Sequence, residues 1–220
     1  MRLIRKSKAL LLVSLAFWLL AVGSGGRLIL SYENAAGASA RPPQQWPSDS
    51  RVRRDPKMPT LLMMVHPHCP CSRASIGELA LLMANVQGRV NAQVVFVRPN
   101  GFADDWAKTD VWDSAAIIPG VSVSVDDEGI EASRFRSQTS GQVMLYGADG
   151  RLLFDGGITV ARGHSGDNAG RHAIVALLSG DDSTIKQTPV FGCPLFNASA
   201  KAKSDTHAKL KDSCDANHGN

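Results

Sequence analysis

The chain has 220 residues, 44% of them hydrophobic and 20% charged. That is enough for one domain with a sizeable core plus appendages, and too apolar for a chain disordered throughout. Residues 1–57 hold ten Lys/Arg against three Asp/Glu, whereas 58–185 hold nine against fourteen. The net charge of +4 therefore comes from the ends. An acidic middle excludes the basic face on which a nucleic-acid binder depends, so no nucleic acid is expected as a partner.

The opening MRLIRKSK places Arg2, Arg5, Lys6 and Lys8 before the uncharged run ALLLVSLAFWLLAVGSGG. A basic start followed by such a run predicts a transmembrane signal anchor with its basic end in the cytoplasm. A cleaved secretory signal is the competing reading, but the small-residue site Ala38–Ala40 lies well beyond the apolar run. Either way the domain is exported, to the periplasm or the extracytoplasmic face in a bacterial host. Residues 31–58 are polar and proline-bearing, without apolar periodicity, and read as a flexible linker.

From Thr60 the signals alternate. TLLMMV is a continuous apolar run, suited to a strand buried on both faces. RASIGELALLMANV sets Ile76, Leu79, Ala80 and Met83 at helical spacing, and AQVVFVRP reads as a second buried strand. GFADDWAKTDVWDSAAI is expected as a helix with Trp106 and Ile117 turned inward. VSVSVDDEG is expected as a short strand and IEASRFRS as a short helix. GQVMLY and RLLFDGGI around the turn GADG predict a hairpin. AGRHAIVALLSG predicts a last helix closed by a glycine. Strands alternating with helices and then a hairpin imply an α/β fold with a mixed central sheet. The reading divides the chain into stub and anchor (1–30), linker (31–58), folded domain (59–182) and a tail with two cysteines (183–220).

The chemistry concentrates in HPHCPCSRAS, residues 66–75. Cys69 can cap a helix with Pro70 in its first position, where a missing N–H costs nothing. The helix N-terminus would then favour thiolate over thiol. Alternatively Ser75 and Glu78 form a capping box and start the helix one turn later. A Cys69–Cys71 bridge requires a tight turn, because residues two apart point to different sides. In an exported protein disulfides persist. Cys193 is thus a possible resolving thiol, or a structural partner of Cys214. The metal alternative draws on His68, Cys69, Cys71 and His164, with imidazole and thiolate donors that suit copper or zinc. Met63 and Met64 read as core.

A strand running into a cysteine at a helix start, then βαβ, hairpin and helix, resembles the thioredoxin fold over about residues 58–180. The landmarks are VHPHCPCSRAS in the redox-loop position and DDEGIEASRFRSQTSGQVMLYGADGRLLFDGGI in the second half. RLLFDGGITVARGHSGDNAGRHA is further similar to a membrane-anchored, RedB-like subgroup. The resemblance implies a three-layer α/β/α sandwich and a thiol–disulfide oxidoreductase acting on exported thiol or disulfide proteins. Cys69 would be the nucleophile, Cys71 the nearest resolving thiol, and Ser72 a donor to the thiolate. Ser140, Gly141, Arg162 and His164 would line the partner loop. Two positions depart from the family pattern: Ser72 stands where the second cysteine of C-x-x-C belongs, and Ser140–Gly141 where a proline precedes the hairpin strand. No cofactor is expected in this reading, and copper or zinc in the alternative. A third reading keeps the fold as a non-catalytic interaction surface.

Overall fold

The computed structural model describes residues 2–38, 41–181 and 184–196. The described residues divide into two compact units, one up to Ala35 and the other from Ala36 onward. The first is one helix, α1 (Arg2–Glu33). Its stretch Leu10–Glu33 has a mean hydropathy of 1.7 and is long and apolar enough to cross a membrane. The helix runs past the expected anchor boundary at residue 30.

The second unit follows the order β1 (Thr60–Val65), α2 (Pro70–Asn85), β2 (Asn91–Arg98), α3 (Asp110–Ala116), β3 (Val121–Asp127), α4 (Ile130–Arg134), β4 (Gln142–Tyr146), β5 (Leu152–Gly156) and α5 (Ala169–Ser179). The five strands form one sheet ordered β3-β2-β1-β4-β5. β1, β2 and β3 are parallel, with Met63 opposite Val94 and Val94 opposite Val123. β4 runs antiparallel to β1, and β5 to β4. The mixed sheet is the one expected.

Strand alternation sorts the apolar residues of β1 between two cores. Leu61, Met63 and Val65 face one side, with Ile76, Leu79 and Leu82 of α2, Val111 and Ala115 of α3, and Ala173 and Ile174 of α5. β1, β2 and β3 step across the sheet in one direction, and right-handed crossovers put both connecting helices on one face. Leu62 and Met64 face the other side, with Ala132 of α4, Phe135, Met144, Tyr146 and Leu195. Each fully buried Leu or Met contributes about 1.5–3 kcal/mol against exposure. Helices thus lie on both faces, but among the described residues a single short one, α4, serves the second.

Extended chain completes that second face, and here two expectations need correction. Within the stretch expected as a linker, residues 41–58 do not run free. Trp46 packs edge-on against Phe135 and Tyr146 at centroid distances of 4.9 and 5.1 Å. Tyr146 Oη donates to the Pro43 carbonyl at 3.0 Å, and Leu152 N–H donates to the Gln44 carbonyl at 2.9 Å. Nor does the domain end at 182: Asp155 N–H donates to the Lys186 carbonyl, and Thr188 N–H to the Asp155 carbonyl. The two segments share the open edge of β5, whose backbone groups would otherwise lack partners. Apolar periodicity misses both because neither is helix or strand for more than a residue or two.

A further correction concerns residues 101–117. Only Asp110–Ala116 is helical, and Ile117 is 81% exposed where an inward position was expected. Trp106 instead lies against His66 and His68. Met63 and Met64 are fully buried, as core residues should be.

Candidate active site

α2 begins at Pro70 with Cys69 as its extended N-cap, at φ −86° and ψ 120°. The missing N–H of proline falls where the helix has no partner to offer, and this start prevails over the later one at Ser75. Glu78 is thereby released from capping. Fully buried, it accepts from Gly166 N–H at 2.7 Å and from Asn168 Nδ2 at 3.2 Å, and it lies 3.5 Å from the Arg171 guanidinium. Asn168 in turn caps α5, accepting from Arg171 N–H at 2.8 Å. One buried carboxylate therefore ties α2 to the loop before α5.

The loop ahead of Cys69 is fixed by two serines. Ser140 Oγ accepts from His66 N–H at 2.8 Å and lies 2.8 Å from Ser72 Oγ. Ser72 Oγ lies 3.1 Å from the His66 carbonyl, to which it donates. Gly141 N–H donates to the Met64 carbonyl at 2.8 Å. Ser140 and Gly141, where the family has its proline, therefore hold the end of β1 through hydrogen bonds a proline could not make in full. His68 Nε2 is 3.0 Å from the Trp106 carbonyl oxygen, and the His66, His68, Trp106 and Phe102 rings flank the loop.

Three thiols meet at this point. Cys69, Cys71 and Cys193 place their sulfurs within 4.8 Å of one another, and all three are free. Cys69 and Cys193 are the close pair, Sγ to Sγ 2.7 Å. Cys69 is 3% and Cys71 9% exposed, while Cys193 is half-buried. Cys214 lies outside the described residues. Cys193 arrives on a short extended segment: Ser140 N–H donates to the Cys193 carbonyl at 2.8 Å, and Leu195 N–H to the Gln138 carbonyl at 2.9 Å. Thr139 and Pro194 form an isolated antiparallel bridge between the two segments. An Arg162 guanidinium N–H donates to the Gly192 carbonyl.

Electrostatics separates the three. Burial pushes the Cys69 thiol up, but hydrogen bonds from the Cys193 thiol and backbone, the Ser72 hydroxyl and the Cys71 backbone outweigh it and hold Cys69 below its ordinary value. The single Ser72 proton serves either the His66 carbonyl or this sulfur. Burial, then the charge of Cys69, push Cys71 up. Burial, then the hydrogen bond and charge of Cys69, carry Cys193 up to about 12. Cys69 is thus the sulfur that ionises first, and the other two stay protonated beside it.

Among the positions expected to serve the site, Cys69, Cys71, Ser72, Ser140 and Arg162 come together, and Gly141 supports them through β1. His164 does not: its exposed ring turns back, Nδ1 2.8 Å from the Arg162 carbonyl oxygen. The thiol cluster contains Cys193 in the place assigned to a histidine, so the ligand set His68, Cys69, Cys71, His164 is corrected on that point. The expectation named Ser140 but missed the pairing of Gln138 and Thr139 with the tail, an isolated bridge ahead of β4. Its only sequence signal is the small polar run QTSG before β4.

No protein-family model and no curated sequence matches the chain. Among solved structures, it is similar to a hypothetical protein of Sinorhizobium meliloti, with 17% identity, a TM-score of 0.56, and coverage of 76% of this chain and 99% of the other. It is likewise similar to an uncharacterized conserved protein of Geobacillus kaustophilus, with 18% identity, a TM-score of 0.54, and coverage of 74% and 93%. A secreted disulfide oxidoreductase of Mycobacterium tuberculosis aligns at 16% identity and a TM-score of 0.42, covering 56% and 81%. Identities this low speak to fold alone. A parallel β1-α2-β2 unit with a cysteine at the helix start, the central order β2-β1-β4-β5 and a closing helix make the elements from β1 to α5 a thioredoxin fold.

Proposed function

We propose that the protein is a membrane-anchored thiol–disulfide oxidoreductase of the RedB-like kind, facing the periplasm or extracytoplasmic space, with Cys69 as nucleophile. The observation that carries this reading is the 2.7 Å approach of Cys69 Sγ and Cys193 Sγ at the N-terminus of α2. The Cys69 thiolate attacks one sulfur of a partner disulfide, forms a mixed disulfide, and expels the partner's other sulfur as a thiolate. Cys193, once deprotonated, attacks Cys69 Sγ, forms the Cys69–Cys193 disulfide and releases the partner's second thiolate. Two electrons pass from the two cysteines to the partner. Cys193 thus takes the resolving role that Cys71 was expected to fill, and Ser72 supports the thiolate.

The test is exchange with a small aromatic disulfide, using the full chain in detergent. Cys69→Ser abolishes exchange, Cys193→Ser accumulates mixed disulfides, and Cys71→Ser retains turnover. Unchanged exchange in Cys69→Ser ends the assignment; three inert thiols would leave an interaction domain.

A second reading, copper or zinc binding, is favoured by the grouping of three thiols within 4.8 Å. Two thiolates on one tetrahedral zinc lie roughly 3.7 Å apart. Cys69 and Cys193 at 2.7 Å are closer than that and fit bond formation better. Metal content of the chain purified without chelator decides it: stoichiometric metal that protects all three thiols supports the metal reading, and metal-free protein whose Cys69–Cys193 pair cycles with dithiothreitol supports exchange.

A further inference from the structure

Cys69 is 3% exposed, so no external disulfide reaches it in this arrangement. Part of what covers it is the tail. Gly192–Leu195 lies antiparallel to Gln138–Ser140, with the two main-chain hydrogen bonds described above and Cys193 on the nucleophile. Leu195, 3% exposed, anchors the segment in the second core, and Phe196 packs over Gly129. The edge accepts one strand at a time.

We propose that this tail is an internal stand-in for the partner, that the partner binds by replacing it, and that the edge selects an extended segment with glycine immediately before the reacting cysteine. The glycine requirement comes from the packing. A Cβ at position 192 would overlap the Ser140 carbonyl oxygen, and it would come within 3.2 Å of Thr139 Cγ2. Because the overlapped atom is main chain, held by its neighbours, it cannot swing aside as a flexible side chain would. Two residues beyond glycine the site has proline, which needs no N–H there, and then a branched apolar side chain that enters the core. The partner is therefore a protein disulfide displayed in an extended Gly-Cys-x-Leu-like segment.

One strand site also couples chemistry to release. The Cys69 thiolate attacks the partner cysteine's sulfur, forms the mixed disulfide and expels the other sulfur as thiolate. When the tail returns, Cys193 attacks Cys69 Sγ and frees the partner cysteine as thiolate, while Gly192–Leu195 takes back the main-chain hydrogen bonds. The bond and the docking strand are exchanged in one event.

This inference rests on Cys69 being the nucleophile, which Cys69→Ser with a small disulfide tests separately. The experiment uses the full chain, unaltered or carrying Gly192→Ala or Leu195→Ala. The probe is the peptide Val-Phe-Gly-Cys-Pro-Leu-Phe, with its cysteine joined to thionitrobenzoate, and a second peptide with alanine for its glycine. Chromophore release gives the rate, and mass spectrometry shows the peptide on Cys69. Both variants unseat the tail and react with the glycine peptide at least about tenfold faster than the unaltered chain, and Gly192→Ala prefers the glycine peptide over the alanine one by at least about tenfold. If neither variant accelerates the reaction, the tail is no gate; if both peptides react equally with Gly192→Ala, the edge reads no glycine. Either result, with Cys69→Ser inactive on the small disulfide, overturns this inference and leaves the oxidoreductase reading standing.

Discussion

The two faces of the sheet are closed by different means. On one, α2, α3 and α5 lay apolar residues over Leu61, Met63 and Val65. On the other, Leu62 and Met64 are covered by one five-residue helix, a stretch carrying Trp46 and Val52, and a tail carrying Leu195. Helices satisfy their own backbone groups and come off the sheet only with the whole fold. Extended segments borrow hydrogen bonds from sheet edges and loops, and can leave singly at lower cost. The reactive cluster draws on both kinds of cover: Cys69 and Cys71 from a helix start, Cys193 from an extended tail segment.

The comparison is tested most strongly at its helical side. Leu79 is fully buried between α2 and the sheet. Leu79→Ala should lower unfolding stability by about 2–5 kcal/mol, through lost transfer energy and the cavity left behind. A denaturant titration of the domain measures it, and a loss below 1 kcal/mol would mean this face is not the principal core.

On the strapped face the expected loss is smaller. Trp46 is half-buried but meets two aromatic rings edge-on. Trp46→Ala should cost about 2 kcal/mol, below the range for a fully buried tryptophan because part of the ring is already wet. It should also raise proteolytic cleavage within 41–58 while the helical face keeps its hydrogen-exchange protection. A neutral substitution would restore the reading of 31–58 as a free linker.

Legibility in the sequence follows the same division. The helical face was readable because TLLMMV, the spacing of Ile76, Leu79 and Met83, and the hairpin turn GADG each announce their element locally. Cys69 as a helix cap was readable from Cys-Pro for the same reason. What closes the other face was not readable, since RPPQQWPSD and KQTPVFGCPLF carry no period and their partners lie far off along the chain. Gln44 meets Leu152, and Cys193 meets Ser140. His164 was misplaced through the opposite error: the loop passes the site as expected, but Gly163 and Gly166 adopt positive φ, and the ring folds onto its own backbone.

The finest test asks how far the borrowed strand sets the chemistry of the helix start. Burial alone would raise Cys69, and the Cys193 thiol is the first of the hydrogen bonds that bring it down. Cys193→Ala retains the backbone of the tail, and so its seat, but removes that donor. Thiolate is the alkylating form, so the pH profile of Cys69 alkylation, normalised to its alkaline plateau, should move to higher pH in the variant. An unmoved profile would assign the lowering to the Ser72 hydroxyl and the backbone N–H groups instead. Stability supplies the sign from the other partner. Cys193 keeps its proton up to about 12 in the folded chain, whereas an unfolded thiol loses it near 9. Between those values the folded state holds the extra proton, so its contribution to stability declines as pH rises. Cys193→Ala should flatten that decline. A profile shift without the flattening would mean that Cys193 tunes Cys69 but titrates freely itself, as a tail already detached at alkaline pH would do.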